Sequence, residues 1–313
     1  VCSVQPAAAQ GAPGGYPNKP IRLVIPFAPG GPTDLFARLF AERLTAVSGQ
    51  QVVVENRAGA AGNIAYASVA KSPPDGYTLL LGTTGLATNP LIYRSLPYEA
   101  ARDFQPVALL AMAPLVLLVP QGSSDTVASV VAHLKANPGK LSYPSGGSGT
   151  STHLAAEMFK LKAGVDAIHV PYRGSGPAFL DTLAGRHAFM FDTIGASRPH
   201  VAAGKLNLVA VAGAKRAPAA PGVPTFAELG IEGVQAFTWN MLLVPSATPR
   251  AVVESLNRLA NAAVSNTGLA TRTGELAIDL IVDSTPESAA AFLASETRRW
   301  TDVVKASGIK VDE

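Results

Sequence analysis

From Ile21 onward the chain alternates short β-branched and aliphatic runs with amphipathic stretches, and nothing else in it limits the fold so strongly. Ile21–Phe27, Val52–Glu55 and Tyr77–Leu81 read as strands, with helices over Leu35–Val47 and Ile64–Lys71 between them. In the first helix Leu35, Phe36, Leu39, Phe40 and Leu44 share a face, and Gly49 is its stop. The Pro73-Pro74-Asp75-Gly76 turn leads into the third strand. The pattern restarts beyond residue 120, with helices at Thr126–Ala136 and Thr152–Lys162 and strands at Leu141–Tyr143, Ala167–Val170, Ala188–Phe191 and Leu206–Val211. Such βαβ alternation predicts mainly parallel sheets flanked by helices, in two lobes. Phe237–Val244 is strand-like again, and Pro249–Asn266 and Thr285–Ser307 read as long helices that return to cover the first lobe.

A length of 313 residues exceeds what one compact core usually organises. The expected division is a linker or signal-peptide remnant at 1–17, a first lobe from 18–118 and 245–313, and a second lobe from 119–244. The chain then crosses between lobes near Leu115–Val119 and Asn240–Val244, as two hinge strands. The apolar run Pro106–Pro120 is 15 residues long and interrupted by Pro114. A membrane-spanning helix needs about 20 uninterrupted residues, so the run reads as two buried strands. Charged residues make up only 15% of the chain and the net charge is +3 without a basic run, which removes any nucleic-acid footprint or polybasic membrane patch. The single cysteine, Cys2, permits no internal disulfide. Small residues at Ala7–Ala9 and Gly11–Gly15 suit a signal-peptide cleavage region or a bland linker.

Two strand–turn–helix junctions carry the chemistry. Pro26–Asp34 contains Gly30-Gly31-Pro32-Thr33-Asp34, and Pro144–Ser151 contains Gly146-Gly147-Ser148-Gly149-Thr150; Thr33 and Thr150 stand 117 residues apart. Each junction leaves unpaired N–H groups at a helix start, where the helix dipole also favours an anion. Such turns are also ordinary βα connections, with Thr33, Asp34, Thr150 or Ser151 as helix caps. One in each lobe predicts that both helix ends converge on a single carboxylate. His153 follows the second turn, placed either to donate to an anion or to pack. Arg173-Gly174-Ser175-Gly176 forms a third Gly-rich turn. Thr84, Asn89 and Asp192 follow strand ends, where ligands gather in open α/β sheets; Asp192 would accept from a ligand hydroxyl or ammonium, or cap the next turn.

Other chemistries lack their motifs. No Gly-Lys-Ser/Thr phosphate loop or complete dinucleotide fingerprint is present, and the five histidines show no metal-ligand spacing, so no cofactor or metal is expected. A Gly-x-Ser-x-Gly elbow is absent too. An enzyme acting on a carboxylate or ester would have to use Ser148, Ser151 or Thr150 with His153 as base, and no acidic partner is placed by sequence to orient that histidine.

Five segments together resemble the Bug-type (TctC-like) periplasmic receptors of tripartite tricarboxylate transporters. They are Tyr16–Arg22, Pro26–Asp34, Val54–Asn63, Ser148–Glu157 and Val170–Gly174, and the likeness extends from Tyr16 to the C-terminus. The resemblance implies an α/β, two-lobed periplasmic-binding-protein fold of clamshell, type II-like form. It also implies export to the periplasm, a small organic carboxylate as ligand, a monomer, and membrane transporter subunits as partners; a ligand-sensing module would use the same fold. By position it points to Phe27, Gly30, Gly31, Thr33 and Asp34 in one lobe, to Ser148, Gly149, Thr150 and His153 in the other, and to Thr84, Asn89, Arg173 and Asp192 on the pocket wall. Two departures stand out: Ala60-Ala61 where members often carry adjacent glycines, and Asn240 where a small residue commonly follows the tryptophan, here Trp239.

Overall fold

A computed structural model describes residues 15–123 and 125–309, so the expected N-terminal segment lies almost wholly outside the described residues. In chain order the elements are β1 (Ile21–Ile25), α1 (Pro32–Ser48), β2 (Val52–Asn56), α2 (Asn63–Ala70), β3 (Thr78–Gly82), α3 (Gly85–Ile92), α4 (Ala100–Asp103) and β4 (Phe104–Pro120). There follow α5 (Val127–Ala136), β5 (Ser142–Ser145), α6 (Ser151–Ala163), β6 (Ile168–Pro171), α7 (Ser175–Leu183), β7 (Met190–Thr193), α8 (Ile194–Ala202) and β8 (Leu206–Val211). The chain closes with β9 (Phe237–Pro245), α9 (Arg250–Val264), α10 (Thr267–Gly274), β10 (Asp279–Leu280) and α11 (Pro286–Ser307).

The first lobe is built on the order β10-β4-β9-β3-β1-β2, with β1 parallel to β2 and β3 and with β9 antiparallel to β3 and β4. Its core forms where α1 lays Phe36, Phe40 and Leu44 against Leu23, Leu79 and Leu242. Each such side chain contributes roughly 1.5–3 kcal/mol on burial. Gly49 ends α1 at φ 68, the left-handed conformation that a glycine adopts without a Cβ penalty. In the second lobe β4 pairs with β7 and β8, β5 pairs with β6, and an aromatic cluster of Tyr143, Phe159, Phe189, Phe191 and Phe226 fills the interior.

Pro106–Pro120 is not two strands. It belongs to one strand, β4, which changes partner from β9 to β7 and β8 and so carries the chain from one lobe to the other. Leu115 N donates to Ala236 O on the β9 side. Alternate N–H groups point to opposite edges, so the hydrogen that Pro114 lacks would point to the other edge, between β10, which ends opposite Met112, and β7, which starts opposite Leu115. No ladder bond is lost there. The second crossing also moves: Asn240–Val244 is paired with β3 and β4 in the first lobe. The switch comes at Ala236, whose N–H donates to Ala212 O.

The C-terminal helix α11 does more than cover the first lobe. Ala289, Phe292 and Leu293 pack on the first lobe, while Trp300 and Val304 enter the core of the second. Midway, the buried Glu296 carboxylate accepts from the indole N–H groups of both Trp239 and Trp300, each at 3.1 Å, and pairs with Arg299.

Candidate functional site

The two Gly-rich junctions meet. Phe27, Gly31, Pro32 and Thr33 from the first lobe and Gly146, Thr150, Ser151 and Thr152 from the second line one cavity, completed by Leu115, Ser175 and Thr238. About 380 Å³ of non-atom space lies between these residues, open solvent included. The lobes touch around it. Ala28 N donates to Arg173 O at 3.2 Å, and Thr88 Oγ1 donates to Gly149 O at 2.6 Å. A Cβ on Gly176 would stand 2.9 Å from Pro29 O, and one on Gly147 3.4 Å from Ala61 Cα.

Neither helix entering the cavity is capped by a side chain. Gly31 precedes α1 and offers none; Thr150 precedes α6, but its hydroxyl donates to Gly147 O instead. The first-turn amides of both helices therefore have no intrahelical partner and face a shared space. The Thr33 and Ser151 hydroxyls make no hydrogen bond among the described residues. Pro32 at the first helical position costs nothing, because its missing N–H would be unpaired anyway.

Several residues expected at the ligand instead shape these turns. The buried Asp34 carboxylate accepts from Gly30 N at 3.1 Å, from Arg38 Nε at 3.0 Å and Nη2 at 2.9 Å, and from Asn56 Nδ2 at 2.9 Å. Burial raises its pKa, but Arg38, Asn56 and the Gly30 amide outweigh that and hold it below the usual carboxylate value. Its lone pairs and the Gly30 amide are both spent.

The same holds across the cleft, where Gly149 N donates to Nδ1 of His153, a ring stacked on His169 at 3.8 Å. Burial drives the His153 pKa down to about 3, with Lys160 adding to the effect. His153 is thus neutral, and it anchors the turn from behind rather than lining the cavity. Arg173 is exposed and supplies its carbonyl, and Ser148 is half-buried and stands outside the lining. Asn89 and Thr84 are buried in the first lobe; Asn89 donates to Ala61 O and Asn63 Oδ1 and abuts Gly149.

Asp192 is fully buried with Oδ1 accepting from Thr193 N and Oδ2 without a partner. Burial pushes its pKa up to about 6, and the neighbouring Ser175, a cavity residue, and Thr193 oppose the rise. The sequence reading did not place Leu115, Thr152 and Thr238 at the cavity; Ser151 was read as a helix cap, and Ser175 belongs to the third Gly-rich turn expected to line the same cleft. Thr238 had no signal, since it reaches the cavity only because β9 pairs with β4. Among the described residues no group of His, Cys, Asp and Glu could hold a metal ion, and no helix is long and apolar enough to cross a membrane.

The model of the tripartite tricarboxylate transporter family receptor matches residues 36–309. The chain belongs to that family. Among its relatives, the UPF0065 protein in the tcbD-tcbE intergenic region of Pseudomonas sp. strain P51 is 40% identical over 92% of this chain and 86% of its own. BugT of Bordetella pertussis is 36% identical over 95% of this chain and 91% of its own. Among solved structures, an R. palustris protein with adipate superposes with TM-score 0.91 at 37% identity, covering 94% of this receptor and 99% of that chain. The periplasmic binding protein BugD gives TM-score 0.91 at 31% identity over 94% and 99% of the two chains. The receptor is thus a two-lobed clamshell, as its own sheet topology indicates.

Proposed function

We propose that this receptor captures a small organic carboxylate in the periplasm, between the N-termini of α1 and α6, and presents the closed form to membrane transporter subunits. One observation carries the reading: two uncapped helix starts from opposite lobes face one cavity that contains no cationic side chain. A carboxylate there would accept from the amides of both first turns and from the Thr33 and Ser151 hydroxyls. Hydrogen bonds to a charged group contribute roughly 1.5–3 kcal/mol each, so four or so approach the ~8 kcal/mol of micromolar affinity. A ligand touching both lobes favours the closed form, because only that form makes both sets of contacts. The bound adipate and malate named for two R. palustris relatives support a carboxylate as the ligand class.

Hydrolysis is disfavoured by position. The Ser–His contact at the second turn, Ser145 Oγ to His169 Nε2 at 2.6 Å, uses a serine that is 1% exposed and outside the cavity lining. The test is a thermal-shift screen of small carboxylates beside their methyl esters. The free acids raise Tm and the esters do not; equal shifts from both would overturn the reading, and sustained ester cleavage would make the protein an enzyme.

A further inference from the structure

One polar side chain beside the cavity is left idle by carboxylate capture. Asn240 on β9 is 4% exposed, its Oδ1 is buried without a partner, and its amide makes no hydrogen bond among the described residues. A buried polar group left unpaired is costly, and a leucine would fill the same place without that cost.

The pleat tells which way Asn240 faces. Trp239, Met241 and Leu243 pack in one core of the first lobe, while Leu242 and Val244 pack in the other, beneath α1. Side chains alternate along a strand, so Asn240 shares the α1 face with Thr238, which lines the cavity. Opposite these two on β4 stand the small residues Ala113 and Ala111. Asn240 thus sits about 7 Å along the strand from the cavity residue Thr238, on the same face of the sheet.

We propose that Asn240 is the specificity-determining residue for the far end of the ligand. The ligand is then an aliphatic carboxylate of four to six carbons whose other end both donates and accepts hydrogen bonds, as a primary carboxamide or a hydroxyl does. Such a group satisfies Oδ1 and Nδ2 together, whereas a second carboxylate accepts only and leaves Oδ1 unpaired. A methyl end leaves both unpaired. This inference rests on the capture of the first carboxylate by α1 and α6, and it adds the class of ligand.

The experiment is calorimetric titration of two matched series. At four carbons they are succinamate, 4-hydroxybutyrate, succinate and butyrate; at six they are adipamate, 6-hydroxyhexanoate, adipate and hexanoate. For the wild type, the amide or hydroxy acid of at least one series binds tenfold or more tighter than the plain acid and severalfold tighter than the diacid. In Asn240→Leu, which keeps the branching at Cγ and removes both polar atoms, and in the smaller Asn240→Ser, the preference for the amide over the plain acid falls to twofold or less while the plain acid still binds. A preference that survives in both variants overturns the assignment, as does a wild type that binds the diacid or plain acid best. If none of the eight acids binds the wild type, carboxylate capture itself fails and takes this inference with it.

Discussion

Two pairs of helices in this receptor begin differently. At α5 and α11 the chain supplies its own cap: Thr126 and Thr285 each accept from the amide three residues on, and Ser129 and Ser288 return the bond. At α1 and α6 no side chain does this, although a threonine stands at the cap position of α6. The starts of α5 and α11 are exposed, whereas those of α1 and α6 lie at the cavity. An unpaired amide in water is hydrated at little cost, so a protein gains by capping exposed ends; an unpaired amide in a cleft is retained where something else is to occupy it. Local stability and ligand affinity should therefore respond to different substitutions.

Several substitutions probe that separation. The largest effect should come from filling the cavity: Thr33→Phe is expected to lower ligand affinity by about 100-fold or more, since it displaces the ligand from roughly two charged hydrogen bonds. Calorimetry would show it, and an unchanged Kd would mean that ligand sits elsewhere. Asp34→Ala should act on the fold, costing about 2–3 kcal/mol in urea unfolding as Arg38, Asn56 and the Gly30 amide lose their common acceptor. A stability equal to wild type would return Asp34 to the ligand.

Asp192 gives a pH signature. Its folded pKa of about 6 lies above its ordinary 3.8, so the folded state holds an extra proton between these values and loses stability as pH rises through them. Unfolding curves at pH 4, 5, 6 and 7 should show wild type weakening relative to Asp192→Asn over that window; parallel curves would contradict the buried carboxyl. Ser151→Ala should weaken binding about tenfold without moving Tm, the loss of one hydrogen bond to a charge. The smallest effect tests the other side of the comparison: Thr285→Ala should cost about 1 kcal/mol of stability with Kd unchanged. If Ser151→Ala lowered Tm as much as Thr285→Ala, the distinction between the two kinds of helix start would collapse.

What could be read from sequence follows this same line. The strands and the long helices announced themselves because their periodicity is local; Gly49 and Thr285 marked ends by chemistry that needs no tertiary partner. Helix α3 did not, because Gly85, Thr88, Asn89 and Pro90 compose a loop by propensity, and packing on α11 overrides it. The Gly-rich turns were legible as a matched pair of junctions, and the structure brings them to one cavity. Which of their groups remain free was not, since that depends on Arg38, Asn56 and His169, brought in from other elements or turns. Asp34 and His153 were read as facing a ligand, and the partners they have in the fold are Gly30, Arg38 and Asn56 for the one and Gly149 for the other. Thr238 was hidden because its place at the cavity depends on strand order.

The carboxylate shared by Trp239 and Trp300 has a practical side. These are both of the tryptophans in the chain, one on the first lobe's sheet and one in the second lobe's core, joined through Glu296 on the helix that straddles them. Any relative movement of the halves stretches or breaks that junction and alters the surroundings of every indole present. A change in the angle between the halves should therefore register in the native fluorescence, excited without any label.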